Sequence, residues 1–467
     1  MRAGYRRVSR PAPAPCRLRH ALSPLTLLLL CWGLSGAAMA VTLAQLHRLD
    51  LVQTFMLREH LDPSVFGGAG LAWLLLALLV YAVGDTAGRF SRRRPVPSGG
   101  HLNPTRAAHL TFALNMVLLG VTALWIVTAA AKAGGLINLA AAAYIDSLTT
   151  RDILLENKLF TGMRLFYAAL PATACMAAAL LALGTLPRRA RVMMVATLVC
   201  NTLALFVLPI VMSQRLLLLQ LLLSAYIVAC LVRGRLLGFG WMVLAVGLFL
   251  GLWLAREAIT NPMFNRSALD IGLQKLAFYV VNDMWNAFAP LMVNIPHTWG
   301  GLNFEGVMFL TFTDGYFARL LTPRTDALDA VLGGGEFPFL TAAYVDFGPV
   351  LGALFIAVVA FVIRRVFIAA RRSLGFAVVY AQIGAALLFS SHSVYFTHQN
   401  FLFSLALIAL VVLLSMRRRS APLGQPAALP LFRSRRKPAQ QPPPLPDSVM
   451  RHMAVFATQR RHAAPVP

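Results

Sequence analysis

Ten apolar runs constrain this chain more than any other feature of its sequence. Each is about 17 to 25 residues long, the length of helix that crosses a hydrocarbon core, and they occupy 25–44, 66–84, 107–131, 163–186, 191–211, 216–232, 236–255, 343–363, 374–391 and 399–416. Of the 467 residues, 58% are hydrophobic and 13% are charged, which is more apolar surface than one soluble core can bury. The sequence therefore predicts an all-α, polytopic membrane protein of about ten transmembrane helices with a large, partly helical outer loop.

The basic residues between these runs indicate an orientation. Lys and Arg are retained on the cytoplasmic side of a membrane, and every second inter-run segment, with the two termini, is basic. Together these segments hold 30 of the 42 basic residues. We therefore expect both termini on the cytoplasmic side of the membrane that the chain crosses. The formal net charge of +25 is then a topological signal, and no nucleic-acid partner is expected.

Three regions follow from this layout. Residues 1–24 form a basic cytoplasmic leader, 25–416 a transmembrane domain with an outer loop at 256–340, and 417–467 a disordered cytoplasmic tail. Arginines in the tail are expected to contact anionic membrane lipids. An alternative for the start of the chain is a secretory signal, because Ala38–Met39–Ala40 matches a signal peptidase site.

The outer loops carry signs of helical structure. Within 256–340, apolar residues recur at helical spacing, at Leu269, Leu273, Leu276, Val280 and Met284. This pattern predicts an amphipathic helix that Pro290 ends and that lies on the membrane boundary through Tyr279 and Trp285. A shorter surface helix is expected within 132–163.

Polar side chains gather where the 256–340 loop enters a late membrane helix. Three glycines, Gly333 to Gly335, precede Glu336, Tyr344 and Asp346. Glycine permits close approach of a ligand to the backbone, so we take Asp346 as a catalytic candidate and Glu336 and Tyr344 as substrate-binding candidates. The alternative is that Asp346 caps a helix and Tyr344 anchors it at the interface.

The spacing of Thr341, Tyr344, Asp346–Phe347–Gly348 and Gly352 resembles that of the Wzy-type O-antigen polymerases. The resemblance implies a membrane glycosyltransferase that lies in the bacterial inner membrane and acts on its outer face. In that family a growing glycan is transferred from polyprenyl pyrophosphate onto the non-reducing end of a new lipid-linked repeat unit. The expected partners are a polyprenyl-pyrophosphate-linked oligosaccharide, a chain-length regulator and other polysaccharide-assembly proteins.

Cations are needed to bind a pyrophosphate. Arg215 opens a leucine-rich span, which is also a feature of the polymerase family, and is our second catalytic candidate. A fixed guanidinium binds phosphate through two parallel hydrogen bonds, whereas an arginine that only snorkels to the interface is the alternative. Arg256 and Arg319 are expected to bind the same headgroup, although Arg256 has Glu257 beside it as a simple ion-pair partner.

A polar turn between the last two apolar runs supplies histidines. His392 and His398 lie in this turn, and His297 lies in the 256–340 loop. Imidazole accepts protons near neutral pH, and His398 is taken as a substrate-binding candidate. The sequence holds no HExxH, Walker or GxGxxG motif and no cysteine pair with metal-ligand spacing. We therefore expect no metal and no cofactor.

Other functions remain open at this point. An O-antigen ligase would share the spans and the large outer loop but transfer the glycan to lipid A core. A flippase or other transporter of the polysaccharide pathway would carry polar residues deep in several spans, whereas the polar residues here are expected to collect at one face. A structural envelope subunit would not need the arginines.

Overall fold

The computed structural model describes residues 18, 20–91, 101–145, 153–154, 156–212, 216–260, 266–292, 296–316 and 336–417. Its helices are α1 (Pro24–Ala44), α2 (Asp50–Arg58), α3 (Gly68–Phe90), α4 (Pro104–Lys132), α5 (Leu136–Ile145), α6 (Met163–Ala168), α7 (Leu170–Leu183), α8 (Arg188–Met212), α9 (Leu216–Arg233), α10 (Phe239–Thr260), α11 (Ala268–Met292), α12 (Glu305–Leu310), α13 (Phe339–Ala370), α14 (Leu374–Leu387) and α15 (Gln399–Ser415). Two short 3-10 turns, Leu46–Arg48 and Pro63–Val65, flank α2. Strands β1 (His101–Leu102) and β2 (Met416–Arg417) pair antiparallel, joining the segment before α4 to the end of α15.

The chain is an all-α polytopic membrane protein, as predicted. Each of the ten apolar runs contains an apolar helix. Seven stretches in the described residues are long and apolar enough to cross a membrane: α1, α3, α4, α6 with α7, α8, α9 and α13. The remaining three runs form the 22-residue α10 and the shorter α14 and α15. The leader before residue 18 and the tail after 417 lie outside the described residues.

Helices α3 and α13 make the most extensive helix pair. Small residues let their backbones approach closely, since a Cβ at Gly84 would lie 2.3 Å from the carbonyl oxygen of Ala357. Asp85 and Arg364 form a buried ion pair of 3.4 Å across the same contact. This pairing fixes the position of α13, which carries the candidate residues at its other end.

The bundle interior also contains polar side chains. Thr173 donates to Asn115 at 2.7 Å, and Asn201 donates to Thr173 at 2.9 Å. Gln220 donates to Gln382 at 3.1 Å. The sequence suggested that polar groups collect at one face of the protein, and this expectation was wrong. They lie within several spans and hydrogen-bond to one another.

The predicted amphipathic helix exists as α11, but its surroundings differ from the expectation. It packs against α1, α2, α3, α10 and α13. Trp285 is buried, with its ring edge-on to that of Phe66 at 6.3 Å, so it does not anchor the helix in lipid. Pro290 was predicted to end the helix, but it lies inside the last turn, and the helix continues to Met292.

Helix α2 was not anticipated, because its nine residues are too few for a clear periodic signal. It covers α11 through a small core of Val52, Met56, Phe278, Val281 and Trp285. Polar contacts join the same elements: the backbone N–H of Leu51 donates to Gln274 at 3.1 Å, and Arg266 pairs with Asp50. Part of the shorter surface helix expected within 132–163 is present as α5.

Candidate functional site

Helix α13 is broken in two at Gly348. This residue has φ 73° and ψ −178°, a conformation that glycine adopts far more easily than other residues. Pro349 then begins the second half, since its fixed φ suits a first helical turn. A Cβ at Gly348 would lie 2.8 Å from Nε2 of His297. The break therefore makes room for the 296–303 turn to pack beside the helix.

Asp346 holds that turn in place. Its carboxylate is fully buried and accepts the hydroxyl of Thr298, the backbone N–H of Leu302 at 3.0 Å, and both the backbone and side-chain N–H groups of Asn303 at 2.8 and 2.7 Å. The carbonyl of Asp346 also accepts the N–H of Trp299 at 2.9 Å. With four donors on one buried carboxylate, Asp346 has the contacts of an anchor for the turn.

The other residues of the late-helix motif have packing partners. Thr341 donates to the carbonyl of Ala287 at 2.8 Å, which ties α13 to α11. Tyr344 is half-buried, with its ring edge-on to Trp73 at 5.1 Å and to His297 at 6.4 Å. Both side chains position the first half of α13.

Several titratable side chains from four parts of the chain lie together beside this motif. We call them the carboxylate–imidazole cluster: Asp283 of α11, Glu305 of α12, Glu336 before α13, and His392, Tyr395 and His398 of the turn between α14 and α15. Asp283, His392, Tyr395 and His398 are half-buried, and Glu305 and Glu336 are exposed. The cluster is therefore open enough to meet a ligand.

Asp283 and His392 form the centre of the cluster. Nδ1 of His392 lies 2.8 Å from Oδ1 of Asp283, and the side chains are 29% and 16% exposed respectively. Burial works against the charged imidazole, but the hydrogen bond and charge of Asp283 and the charge of Glu336 outweigh it and raise the pKa of His392. Because Nδ1 carries the proton donated to Asp283, Nε2 is the atom left to accept another.

Glu336 acts on every other member of the cluster. Its carboxylate accepts the hydroxyl of Ser393, and its carbonyl accepts the side-chain amide of Asn286 at 3.4 Å. The surrounding protein desolvates Glu305 and Tyr395, and this is the main cause of their raised pKa values. The negative charge of Glu336 raises the pKa of both groups further. Glu336 is thus the common electrostatic neighbour of the group.

His398 differs from His392 in its hydrogen bonding. Its Nδ1 accepts the backbone N–H of Asn400 at 3.3 Å, capping α15, so the neutral ring carries its proton on Nε2. Burial lowers the pKa of His398; the charge of Glu336 opposes this shift and that of Arg164 adds to it. His398 is therefore a neutral donor, whereas His392 offers an acceptor.

Helix α12 brings Glu305 to the cluster. A Cβ at Gly306 would lie 2.0 Å from the carbonyl oxygen of Thr397 and 2.4 Å from the backbone N of Gln399, so α12 packs directly on the start of α15. The turn that Asp346 holds ends at Asn303, two residues before Glu305. Asp346 therefore positions α12 and, through it, one carboxylate of the cluster.

The structure unites some of the predicted residues and separates others. Glu336 and His398 lie in the cluster, and Asp346 and Tyr344 lie in the layer that supports it. Arg256 is buried near the end of α10, where its neighbour Glu257 pairs with Lys275 of α11 at 2.8 Å. Lys275 is eight residues from Asp283, about 12 Å along a helix. Arg215, Arg319 and Gly333 to Gly335 lie outside the described residues.

Asp283, Glu305 and Tyr395 were not identified from the sequence. In the sequence, Asp283 is a polar position of the amphipathic pattern, and Glu305 is one of several acidic residues in the 256–340 loop. The sequence does contain one signal for Tyr395, because this residue is three positions from both His392 and His398. In the structure its ring lies 6.3 Å from that of His392 and 6.4 Å from that of His398. Among the described residues, no group of three or more His, Cys, Asp or Glu side chains is arranged to hold a metal ion.

Comparison with known proteins gives no relative: no family model, no curated protein and no solved structure matches the chain.

Replacing Asp346 by alanine should loosen the 296–303 turn. The N–H groups of Leu302 and Asn303 would lose their acceptor, and an unsatisfied buried donor costs about 1–3 kcal/mol. We expect a lower melting temperature in detergent and faster proteolysis within 296–316. The matched control is Asp314→Ala, since Asp314 is an exposed carboxylate of the same segment. An Asp346→Ala protein with normal melting and proteolysis but no activity would instead give this carboxylate a chemical role.

Proposed function

We propose that the chain polymerises lipid-linked oligosaccharide repeat units, of an O-antigen or exopolysaccharide, on the outer face of a bacterial inner membrane. The donor would be a glycan on polyprenyl pyrophosphate, and the acceptor a new lipid-linked repeat unit. The observation that carries this proposal is the half-buried Asp283–His392 pair at one end of a membrane-spanning bundle. The spacing from Thr341 to Gly352, with its resemblance to Wzy-type polymerases, supports the same reading.

The Asp283–His392 pair suits the activation of a sugar hydroxyl. Asp283 fixes the imidazole with Nδ1 protonated and stabilises the imidazolium that forms when Nε2 accepts a proton, which is the role of the carboxylate in Ser-His-Asp triads. The hydroxyl oxygen then bonds to the anomeric carbon of the donor. The bond from that carbon to the phosphate oxygen breaks, and its electron pair leaves with the lipid pyrophosphate.

The leaving pyrophosphate needs donors and positive charge. His398, as a neutral donor at Nε2, is suited to bind a phosphate or sugar oxygen, and Arg164 is near enough to influence its pKa. Arg215 remains our candidate for the principal phosphate-binding cation. Arg256 and Arg319 remain candidates for binding the headgroup.

Charge distribution supports the outward orientation of the cluster. The cluster lies by the N-terminal end of α13, whereas Arg364, Arg365, Arg371 and Arg372 lie at or just after its C-terminal end. Basic residues stay in the cytoplasm, so the cluster would face outward, where lipid-linked repeat units are polymerised in the family it resembles. Both termini would then be cytoplasmic.

An O-antigen ligase is the main alternative, because it would use the same donor and the same proton transfer. A transporter is less well supported. Polar residues do lie within the spans, but Asn115, Thr173 and Asn201 bond to one another, as do Gln220 and Gln382, which suits helix packing.

Deleting the gene should leave single repeat units in place of long chains, because each further transfer needs this protein. Gel analysis of envelope polysaccharide would show core bearing one repeat. A ligase defect would instead leave bare core and accumulated lipid-linked polymer. Unchanged chain length would contradict both functions.

Complementation of this strain tests the proposed base. His392→Gln should lower the polymerisation rate by about 10²–10⁴, the usual contribution of general-base catalysis. His109→Gln is the matched control, since His109 is exposed on α4. Long chains from the His392→Gln protein, at equal membrane abundance, would remove His392 from the reaction.

The Asp283–His392 pair also predicts a pH dependence. His392 must be neutral to accept a proton, so activity should rise as pH passes upward through its raised pKa. Asp283→Asn should move this rise to lower pH, because it removes the largest contribution that raises the pKa of His392. Any stability gained from the protonated pair should be greatest below the ordinary pKa of histidine and fall as pH rises through the raised value.

The matched control for this pH profile is Asp270→Asn, because Asp270 is a half-buried carboxylate on the same helix and pairs with Arg266. An Asp283→Asn protein whose activity rises at the wild-type pH would show that Asp283 does not tune His392.

A further inference from the structure

Helix α12 and its flanking turns expose a set of large apolar side chains. We call residues 299–312 the aromatic segment; its most exposed members are Trp299 at 62% and Phe312 at 87%, followed by Val307 and Phe304. In water such a surface would favour association or aggregation. Because this surface lies beside the cluster, whether it contacts water or lipid affects how a ligand reaches the cluster.

The backbone holds two of these side chains outward. Trp299 has φ 52° and Phe312 has φ 57°, a left-handed conformation that is unusual for bulky residues. Hydrogen bonds maintain both: the N–H of Trp299 donates to Asp346, and the N–H of Thr313 donates to the carbonyl of Met308, each at 2.9 Å. Strain that the surroundings maintain often accompanies function.

The aromatic segment continues the apolar surface of a membrane span. The ring of Phe304 lies 6.4 Å from that of Phe347 and 6.1 Å from that of Phe355, and both partners belong to α13. The exposed side of α13 around them is apolar, with Val350 at 77% exposure and Leu351 and Leu354 also exposed. A span that exposes such residues meets lipid, and Phe304 extends that surface to α12.

We propose that the aromatic segment inserts into the hydrocarbon boundary of the membrane and forms the side from which a lipid chain reaches the carboxylate–imidazole cluster. Helix α12 is built for this position: Phe304 and Val307 are exposed beside α13, while Glu305 joins the cluster and Gly306 packs on the start of α15. Aromatic residues are favoured at the membrane interface. Only the identity of the lipid, a polyprenyl chain, rests on the proposed function.

This assignment replaces the role that the sequence suggested for α11. Its Trp285 packs in the protein core against Phe66, and α2 covers part of its surface. Among the described loop helices, α12 combines exposed apolar residues with direct contact to a span and to the cluster.

Spin-label accessibility tests the insertion without any assay of activity. Single cysteines at Val307 and Phe312 are labelled in full-length protein in lipid nanodiscs, with the five native cysteines replaced by serine. Val350 serves as the lipid-facing reference and Thr54, exposed on the charged surface of α2, as the aqueous one. Labels at Val307 and Phe312 should be accessible to oxygen, as the label at Val350 is. Their accessibility to a water-soluble nickel complex should be several-fold lower than that of the label at Thr54.

If labels at Val307 and Phe312 are as accessible to the nickel complex as a label at Thr54, the proposal is overturned. The proposed function would not be affected by that result.

A binding measurement tests whether the aromatic segment contacts the lipid chain of the ligand. Phe312→Ser should weaken binding of a long-chain polyprenyl pyrophosphate by about tenfold or more. This factor corresponds to the free energy gained when one aromatic side chain is buried. The substitution should not weaken binding of a short-chain analogue. Equal loss for both ligands would contradict chain recognition by this segment.

Discussion

The buried carboxylate of Asp346 is the interaction on which the candidate site depends. It gathers four hydrogen bonds from the turn at 298–303 and stands beside Gly348, where α13 breaks. A carboxylate buried away from water is stable only when such donors surround it. The 298–303 turn leads into α12, which brings Glu305 to the cluster. The aromatic segment, of which α12 is part, contacts α13 through Phe304. One side chain thus couples the membrane span to the loop elements around the site.

The cluster itself is assembled from parts of the chain that are far apart. Asp283 and His392 are 109 residues apart and share one hydrogen bond, and Glu336 lies between them in sequence. Their arrangement divides two histidines into different roles: Nδ1 of His392 donates and leaves an acceptor at Nε2, whereas Nδ1 of His398 accepts and leaves a donor. An acceptor and a donor beside exposed carboxylates are suited to bind and deprotonate a hydroxyl group. The proposed glycosyl transfer uses both.

Hydropathy made the membrane fold predictable, because each span must satisfy its own backbone and so appears as a continuous apolar run. The 3.6-residue period likewise predicted α11. Periodicity does not reveal what covers a helix, so Trp285 of α11 was assigned to lipid, although it packs in a protein core with Phe66 and residues of α2. The site was predicted in part: Glu336 and His398 lie near one another in the cluster, but Asp283 has no sequence signal that separates it from an ordinary polar-face residue. Asp346 was recognised as important, whereas its four donors depend on a turn more than forty residues earlier.

The most direct measurement of the central claim uses purified protein in liposomes with a fluorescent lipid-linked repeat unit as both donor and acceptor. Our account predicts a ladder of products that grows by one repeat unit at a time, with one polyprenyl pyrophosphate released for each bond formed. Substitution of His392 by glutamine should slow the ladder without altering its spacing. Absence of any elongated product from folded wild-type protein, or transfer only when lipid A core is added, would contradict the assignment of a repeat-unit polymerase.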